Sequence, residues 1–169
     1  MSDGMKLKGR VAAVLGENID TDILYPGRYL NITDREKTAE HLFELAYPEI
    51  RPALKPGDFV VASKNFGCGS SREQAAAALK YAGVGAVIAC SFARIFYRNS
   101  INLGLPAVLS AHAFEQCAAG DELEIDLASG AIQDVTRGIK IAAAPLDPRA
   151  VELLSAGGLI PYLKRKYAA

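Results

Sequence analysis

Two blocks of the chain, Phe59-Val60-Val61-Ala62 and Ala86-Val87-Ile88-Ala89, are apolar without alternation. That is the pattern of a strand buried on both faces. Between them Glu73 to Tyr81 is alanine-rich and closes on Gly83, which predicts a helix with a glycine stop. Strand, glycine-rich loop, helix, strand predicts a parallel βαβ unit. Upstream, Lys8 to Leu15 predicts a first strand, Gly16 to Asp22 a polar loop, and Tyr25-Pro26-Gly27 a turn. Thr33 to Tyr47 has helical spacing, with Ala39, Leu42, Phe43 and Ala46 on one face. Thr33 or Asp34 can cap it, and Glu36 lies three residues after Thr33, as in a capping box. Pro48, Pro52 and Pro56 predict an irregular stretch after it.

Downstream, Phe92 to Ile101 predicts a helix ended by Gly104-Leu105-Pro106, then a strand at Ala107 to Leu109 and a short helix at Ala113 to Ala119. Glu122 to Leu127 and Ala131 to Val135, joined through Ser129-Gly130, predict a hairpin, with more strand at Gly138 to Ala142. Pro148 to Ala156 is expected to be the last helix, stopped by Gly157-Gly158. The sum is an α/β fold, and 169 residues fit a single domain with a sizeable core.

Composition narrows the partners. Lysine plus arginine and aspartate plus glutamate number 19 each, so no global field attracts nucleic acid or an anionic membrane. No apolar run approaches the roughly 20 residues that span a bilayer. Met1 to Arg10 lacks the apolar core of a secretory signal and the arginine-rich pattern of a transit peptide, so a cytoplasmic protein is expected. Cys68, Cys90 and Cys117 are odd in number and widely spaced, against a disulfide framework, a self-contained metal site or an iron–sulfur cluster held by this chain alone. Cys90, in an apolar run, is expected in the core, and Cys117 is expected to be structural.

The candidate chemistry lies in Gly67-Cys68-Gly69-Ser70-Ser71-Arg72-Glu73. Gly67 and Gly69 open backbone angles closed to other residues and let a ligand approach the main chain. Ser70 and Ser71 are expected at the start of the next helix, where free N–H groups and the helix dipole favour negative charge. Arg72 adds a planar cationic fork suited to a carboxylate or phosphate. Together they predict an anion site at a helix N-terminus. A plainer reading stands beside it: Ser70 or Ser71 only caps the helix and Arg72 is solvated. The loop is not a Walker A motif, a dinucleotide fingerprint or a nucleophile elbow. A Cys68 thiolate nucleophile has no histidine near it in sequence.

Lys64 to Ala75 resembles the signature of the swivelling domain of the aconitase superfamily, in the branch of the isopropylmalate isomerase and homoaconitase small subunits. Asn18-Ile19-Asp20-Thr21-Asp22, Pro26 to Leu30, Ser91 to Asn99, Asn102 to Pro106 and Gly157 to Leu163 follow in matching order, so the resemblance runs from about residue 8 to 165. It implies a three-layer swivelling β/β/α domain over residues 1–169. It implies a hydro-lyase of leucine biosynthesis, active only with a large subunit that carries a [4Fe–4S] cluster, while this chain binds no metal. On this resemblance Ser70 is the base that removes the proton α to a carboxylate, and Gly69, Ser71 and Arg72 hold substrate carboxylates. The cluster iron acts as Lewis acid on the leaving hydroxyl.

The segment after Tyr29-Leu30 corresponds to the family's selectivity loop, where homoaconitases carry an arginine for the extra carboxylate. Here Asn31 and Ile32 stand there, which implies a malate bearing a short alkyl group, with 2-isopropylmalate and 3-isopropylmalate first. Citramalate and 2,3-dimethylmalate are close rivals, because one methyl in an apolar pocket is worth only about 1–3 kcal/mol. Arg28 and Arg35 leave homoaconitate open. Outside the enzyme class, a stand-alone anion-binding domain remains the alternative. His41 reads as a surface or interface residue, His112 has no metal-spaced partner, and Lys164-Arg165-Lys166 reads as a solvated tail. Arg94 and Arg98 lie four apart on one helix face, suited to ion pairs, the active-site wall or the large subunit.

Overall fold

The computed structural model describes residues 5–168. In chain order the strands are β1 (Lys6–Leu15), β2 (Phe59–Ala62), β3 (Ala86–Ala89), β4 (Ala107–Leu109), β5 (Glu122–Asp126), β6 (Ala131–Asp134) and β7 (Ile139–Ala142). The helices are α1 (Thr21–Leu24), α2 (Arg35–Glu40), α3 (Ile50–Ala53), α4 (Glu73–Tyr81), α5 (Arg94–Leu103), α6 (Ala113–Gln116), α7 (Pro148–Ala156) and α8 (Leu159–Lys166).

All seven strands form one sheet in the order β4-β3-β2-β1-β5-β6-β7. The half from β4 to β1 is parallel and the half from β1 to β7 antiparallel. β1 belongs to both. Its first five residues pair with β5, and Val11 to Leu15 pair with β2, with a register shift between Val11 and Ala13.

The unalternating strands are buried on both faces as expected. Val60, Ala62, Val87 and Ala89 enter one core with Leu79 of α4, Leu42 and Phe43. Phe59, Val61, Ala86 and Ile88 enter the other, with Leu123, Ile125, Ile132 and Ile141 of the antiparallel half and Ala150, Val151 and Leu154 of α7. Helices, central sheet, and a curled antiparallel sheet with its helices make three layers. The curl brings the sheet's ends together: the Ala144 N–H donates to Leu109 O at 2.8 Å, and the Ser110 hydroxyl donates to Ala142 O at 2.7 Å. Among the described residues no helix is long and apolar enough to cross a membrane.

The helix expected over 33–47 ends early. Asp34, not Thr33, caps α2, accepting from the Lys37 N–H, and turns follow after Glu40. Phe43 takes a left-handed φ of 60° and donates its N–H to Leu24 O at 3.0 Å. A non-glycine residue there costs about 1–2 kcal/mol, offset by complete burial of the ring. Pro52 sits inside the short α3 instead of an irregular stretch. Gly157, left-handed, does stop α7, but Gly158 then caps α8, so Lys164-Arg165-Lys166 is helical and not a tail. Cys90 is half-buried at the end of β3, outside the core, whereas Cys117 is buried.

Candidate functional site

The glycine loop lies beyond the carboxyl ends of β1, β2 and β3, the rim where open α/β sheets bind ligands. Three segments run side by side there. The Gly67 N–H donates to Ile19 O at 2.7 Å and the Thr21 N–H to Cys68 O at 2.9 Å. On the other side the Phe66 N–H donates to Ser91 O at 3.0 Å and the Ala93 N–H to Phe66 O at 2.9 Å. Asn18 and Asn65, both left-handed, bond through their side chains at 2.9 Å. Phe66 and Cys68 are thus bridged to the two flanking segments, Phe66 to Phe92 and Cys68 to Asp20, and the chain turns away at Gly69.

Gly67 has φ 82° and faces Phe96, whose side chain occupies the space a Cβ would need. Phe96 packs edge-on against Phe66 at 5.2 Å, so it cannot retreat freely. Gly67→Ala therefore combines a left-handed penalty of about 1–2 kcal/mol with overpacking of about 1–3 kcal/mol. We expect a loss of about 2–5 kcal/mol in denaturant unfolding; a loss below about 1 kcal/mol would show that Phe96 yields.

Ser70 and Ser71 are exposed, but neither caps α4. The N-cap is Arg72, whose side chain makes no cap bond, and the serines lie one and two residues before it. Helix position alone places them differently from the sequence expectation, because Arg72 turns back towards the loop. Its Nε–H donates to Ser70 Oγ at 3.0 Å, and its Nη1–H donates to Asp22 Oδ1 at 2.9 Å. Gly27 lies against the same nitrogen, where a Cβ would stand 2.9 Å from Nη1. Asp20 caps α1 by accepting from the Ile23 N–H at 2.8 Å, which fixes the turn carrying Asp22. Sequence reasoning did not assign Asp22 a role, since nothing in the spacing joins it to an arginine fifty positions on.

Beside Gly27 a 3₁₀ turn (Gly27–Tyr29) leads into Asn31 and Ile32. Asn31 is exposed and Ile32 half-exposed; the Ile32 N–H donates to Tyr29 O at 3.0 Å, and neither residue bonds to the glycine loop among the described residues. The root of this segment is tied down. The Tyr25 hydroxyl donates to Tyr29 O at 2.8 Å, and the Tyr29 ring stacks on His41 at 3.6 Å. Glu44 gathers Arg28 at 3.4 Å, the Tyr29 hydroxyl at 3.3 Å and His41 at 3.2 Å. Burial alone pushes the Glu44 carboxyl up, but those three partners win and hold it below its ordinary value. Arg28 is thus held by Glu44, and Arg35 lies over the Tyr81 ring at 5.1 Å.

Cys68 adjoins the site, but burial and Asp20 push its thiol up, which favours the unreactive form. Burial, then Asp134 and Asp121, push the Cys117 thiol up to about 11. His112 is exposed at the N-cap of α6. Arg94 and Arg98 are exposed on α5. A cavity of about 510 Å³ sits over the antiparallel half, bordered by Lys8, Glu124, Gln133 and Lys140, and does not include the glycine loop.

Residues 1–111 match the family described as the aconitase C-terminal domain. The chain is 52% identical to the 3-isopropylmalate dehydratase small subunit of Moorella thermoacetica over 151 residues, 89% of this chain and 91% of that one. It is 48% identical to the methanogen homoaconitase small subunit of Methanothermobacter thermautotrophicus over 159 residues, 94% of this chain and 91% of the other. A crystal structure of 3-isopropylmalate dehydratase from Methanocaldococcus jannaschii superposes with a TM-score of 0.86 at 43% identity, covering 96% of this chain and 95% of its own.

Proposed function

This chain belongs to the aconitase C-terminal domain family, and from that premise we propose that it is the small subunit of a 3-isopropylmalate dehydratase. Its described residues, 5–168, form one swivelling domain, working in the cytoplasm with a large subunit. The pair interconverts 2-isopropylmalate and 3-isopropylmalate by dehydration and rehydration. The observation that carries the reading is the Arg72 Nε–H donating to an exposed Ser70 Oγ at the rim of the parallel sheet.

Ser70 Oγ, as the alkoxide, takes the proton α to a substrate carboxylate and becomes the neutral hydroxyl. A serine hydroxyl rarely ionises near neutral pH, and a guanidinium N–H on its oxygen stabilises the charge that develops there. Asp22 holds the Arg72 fork so that Nε faces Ser70. The rest of the fork, with Ser71 and the backbone at Gly69, offers donors to the carboxylates, and the uncapped first turn of α4 adds its dipole. Cys68, Cys90 and Cys117 lie on separate segments, and among the described residues no group of three or more His, Cys, Asp or Glu side chains is placed to hold a metal ion. The chain's own residues do not fit a cluster, and we assign the [4Fe–4S] cluster to the large subunit.

For the substrate, Asn31 and Ile32 supply no full charge, while Arg28 and Arg35 are engaged elsewhere. This supports an alkylmalate over a tricarboxylate. The near-equal identities to a dehydratase and to a homoaconitase keep the tricarboxylate as the second reading. The deciding measurement is kcat/KM for a panel of hydroxy di- and tricarboxylates with the reconstituted pair. We expect 2-isopropylmalate and 3-isopropylmalate to lead homocitrate and homoaconitate by at least about a hundredfold, since a buried carboxylate without a cation is heavily penalised. Preference for homoaconitate would overturn the substrate assignment.

A further inference from the structure

The chain leaves part of its own charge unanswered. Between Glu73 and Glu115 there is no aspartate or glutamate, although the chain as a whole carries equal numbers of acids and bases. α5 lies in the middle of that stretch. Helical geometry spreads Arg94, Arg98, Asn102, Ile95 and Asn99 over one arc, with Phe96 and Ser100 buried opposite. Neither arginine forms an ion pair or lies over an aromatic ring among the described residues. Ile95, beside them on the arc, is 42% exposed.

This arc adjoins the catalytic rim. Arg94 follows directly on the segment whose Ala93 N–H bonds to Phe66 O, and Asn99 Nδ2 lies 3.5 Å from Ser71 O. At its other end Asn102 O packs against Gly158, where α8 begins and presents Ile160 and Leu163 to solvent. A hydroxyl exposed at the rim meets its substrate only with the second subunit above it, so the surface around the rim is where that subunit must come to rest.

We propose that the outward arc of α5, Arg94, Ile95 and Arg98, is a docking surface for the cluster-bearing large subunit, and that it takes a patch on that subunit with an acidic side facing the arginines and an apolar side facing Ile95. This rests on the two-subunit reading above. The two unpaired arginines steer and register the approach, and Ile95 supplies buried apolar area beside them.

The test is the affinity of the full-length chain for the purified large subunit, measured by biolayer interferometry with substrate turnover recorded in parallel. The double variant R94E/R98E is expected to weaken binding at least about tenfold and to flatten its dependence on salt, because exposed charge pairs are screened over about 10 Å at 0.1 M ionic strength. K6E/K140E, the same charge change on the outer face of the antiparallel half, is expected to leave affinity within about twofold of wild type. Unchanged affinity for R94E/R98E, or equal weakening by the control, would overturn the proposal. So would a self-associated chain that R94E/R98E dissociates while affinity for the large subunit persists, since the arc would then seat a second copy. If the double variant does not fold by circular dichroism, the milder R98Q and I95S replace it, each expected to weaken binding about threefold and each overturning the proposal if it does not. A pair that binds with this signature yet turns over no alkylmalate would refute the substrate reading and leave the docking surface standing.

Discussion

Ser70→Ala in the reconstituted pair is expected to lower kcat by about 10³-fold while KM moves by less than about threefold. Positioned proton transfer contributes about 10²–10⁴ in rate, and a group used mainly in the transition state shows in kcat. Ser70 suits this measurement because its oxygen is exposed and its contact is with Arg72, not with the core. Removing the hydroxyl leaves Arg72 tied to Asp22, so the carboxylate donors stay in place. Turnover within about tenfold of wild type would remove Ser70 from the proton-transfer role. The thermal transition should not move, which separates loss of chemistry from loss of fold.

Arg72→Lys is expected to lower kcat/KM by about 10²–10³-fold, with kcat and KM both affected. The substitution keeps the positive charge and discards the fork. In the native loop one planar group donates to Ser70 at 3.0 Å and to Asp22 at 2.9 Å. A lysine ammonium is a point charge on a flexible stem and cannot hold both directions at once. Charge-assisted hydrogen bonds contribute about 1.5–3 kcal/mol each, and about 1.4 kcal/mol is tenfold in rate. Steady-state kinetics on the same substrate panel check it. If lysine retained more than about a fifth of the activity, charge alone would suffice and the role given to Asp22 would fail with it.

What could be read from the sequence was what local chemistry decides. β2, β3 and β4, the helix over 73–81 and the hairpin of β5 and β6 follow from runs, alternation and glycine stops. The misread stretches are those where distant atoms decide. Phe43 leaves helical geometry because its N–H reaches Leu24 and its ring a core that spacing cannot show. The pair Gly157-Gly158 looks like a stop, yet the second glycine starts a helix, since its backbone packs closely against Asn102 and Leu103. The glycine loop stood out as a candidate anion site from its own residues. Its wiring was not: the bond from Arg72 to Ser70 spans two residues, but the one to Asp22 spans fifty, and only the pairing of 18–21 with 64–68 brings them together.

The double allegiance of β1 has a consequence for how the chain is made. Residues Val11 to Leu15 can find β2 once the first third of the protein has left the ribosome, but Lys6 to Arg10 wait for Glu122 to Asp126. At about 5–20 residues per second that interval lasts several seconds. Throughout it the growing chain carries an open strand edge, of the kind that pairs with the wrong partner. Lys6, Lys8 and Arg10 stand along that edge, and their like charges repel an identical nascent strand until the acidic residues of β5 arrive to meet them.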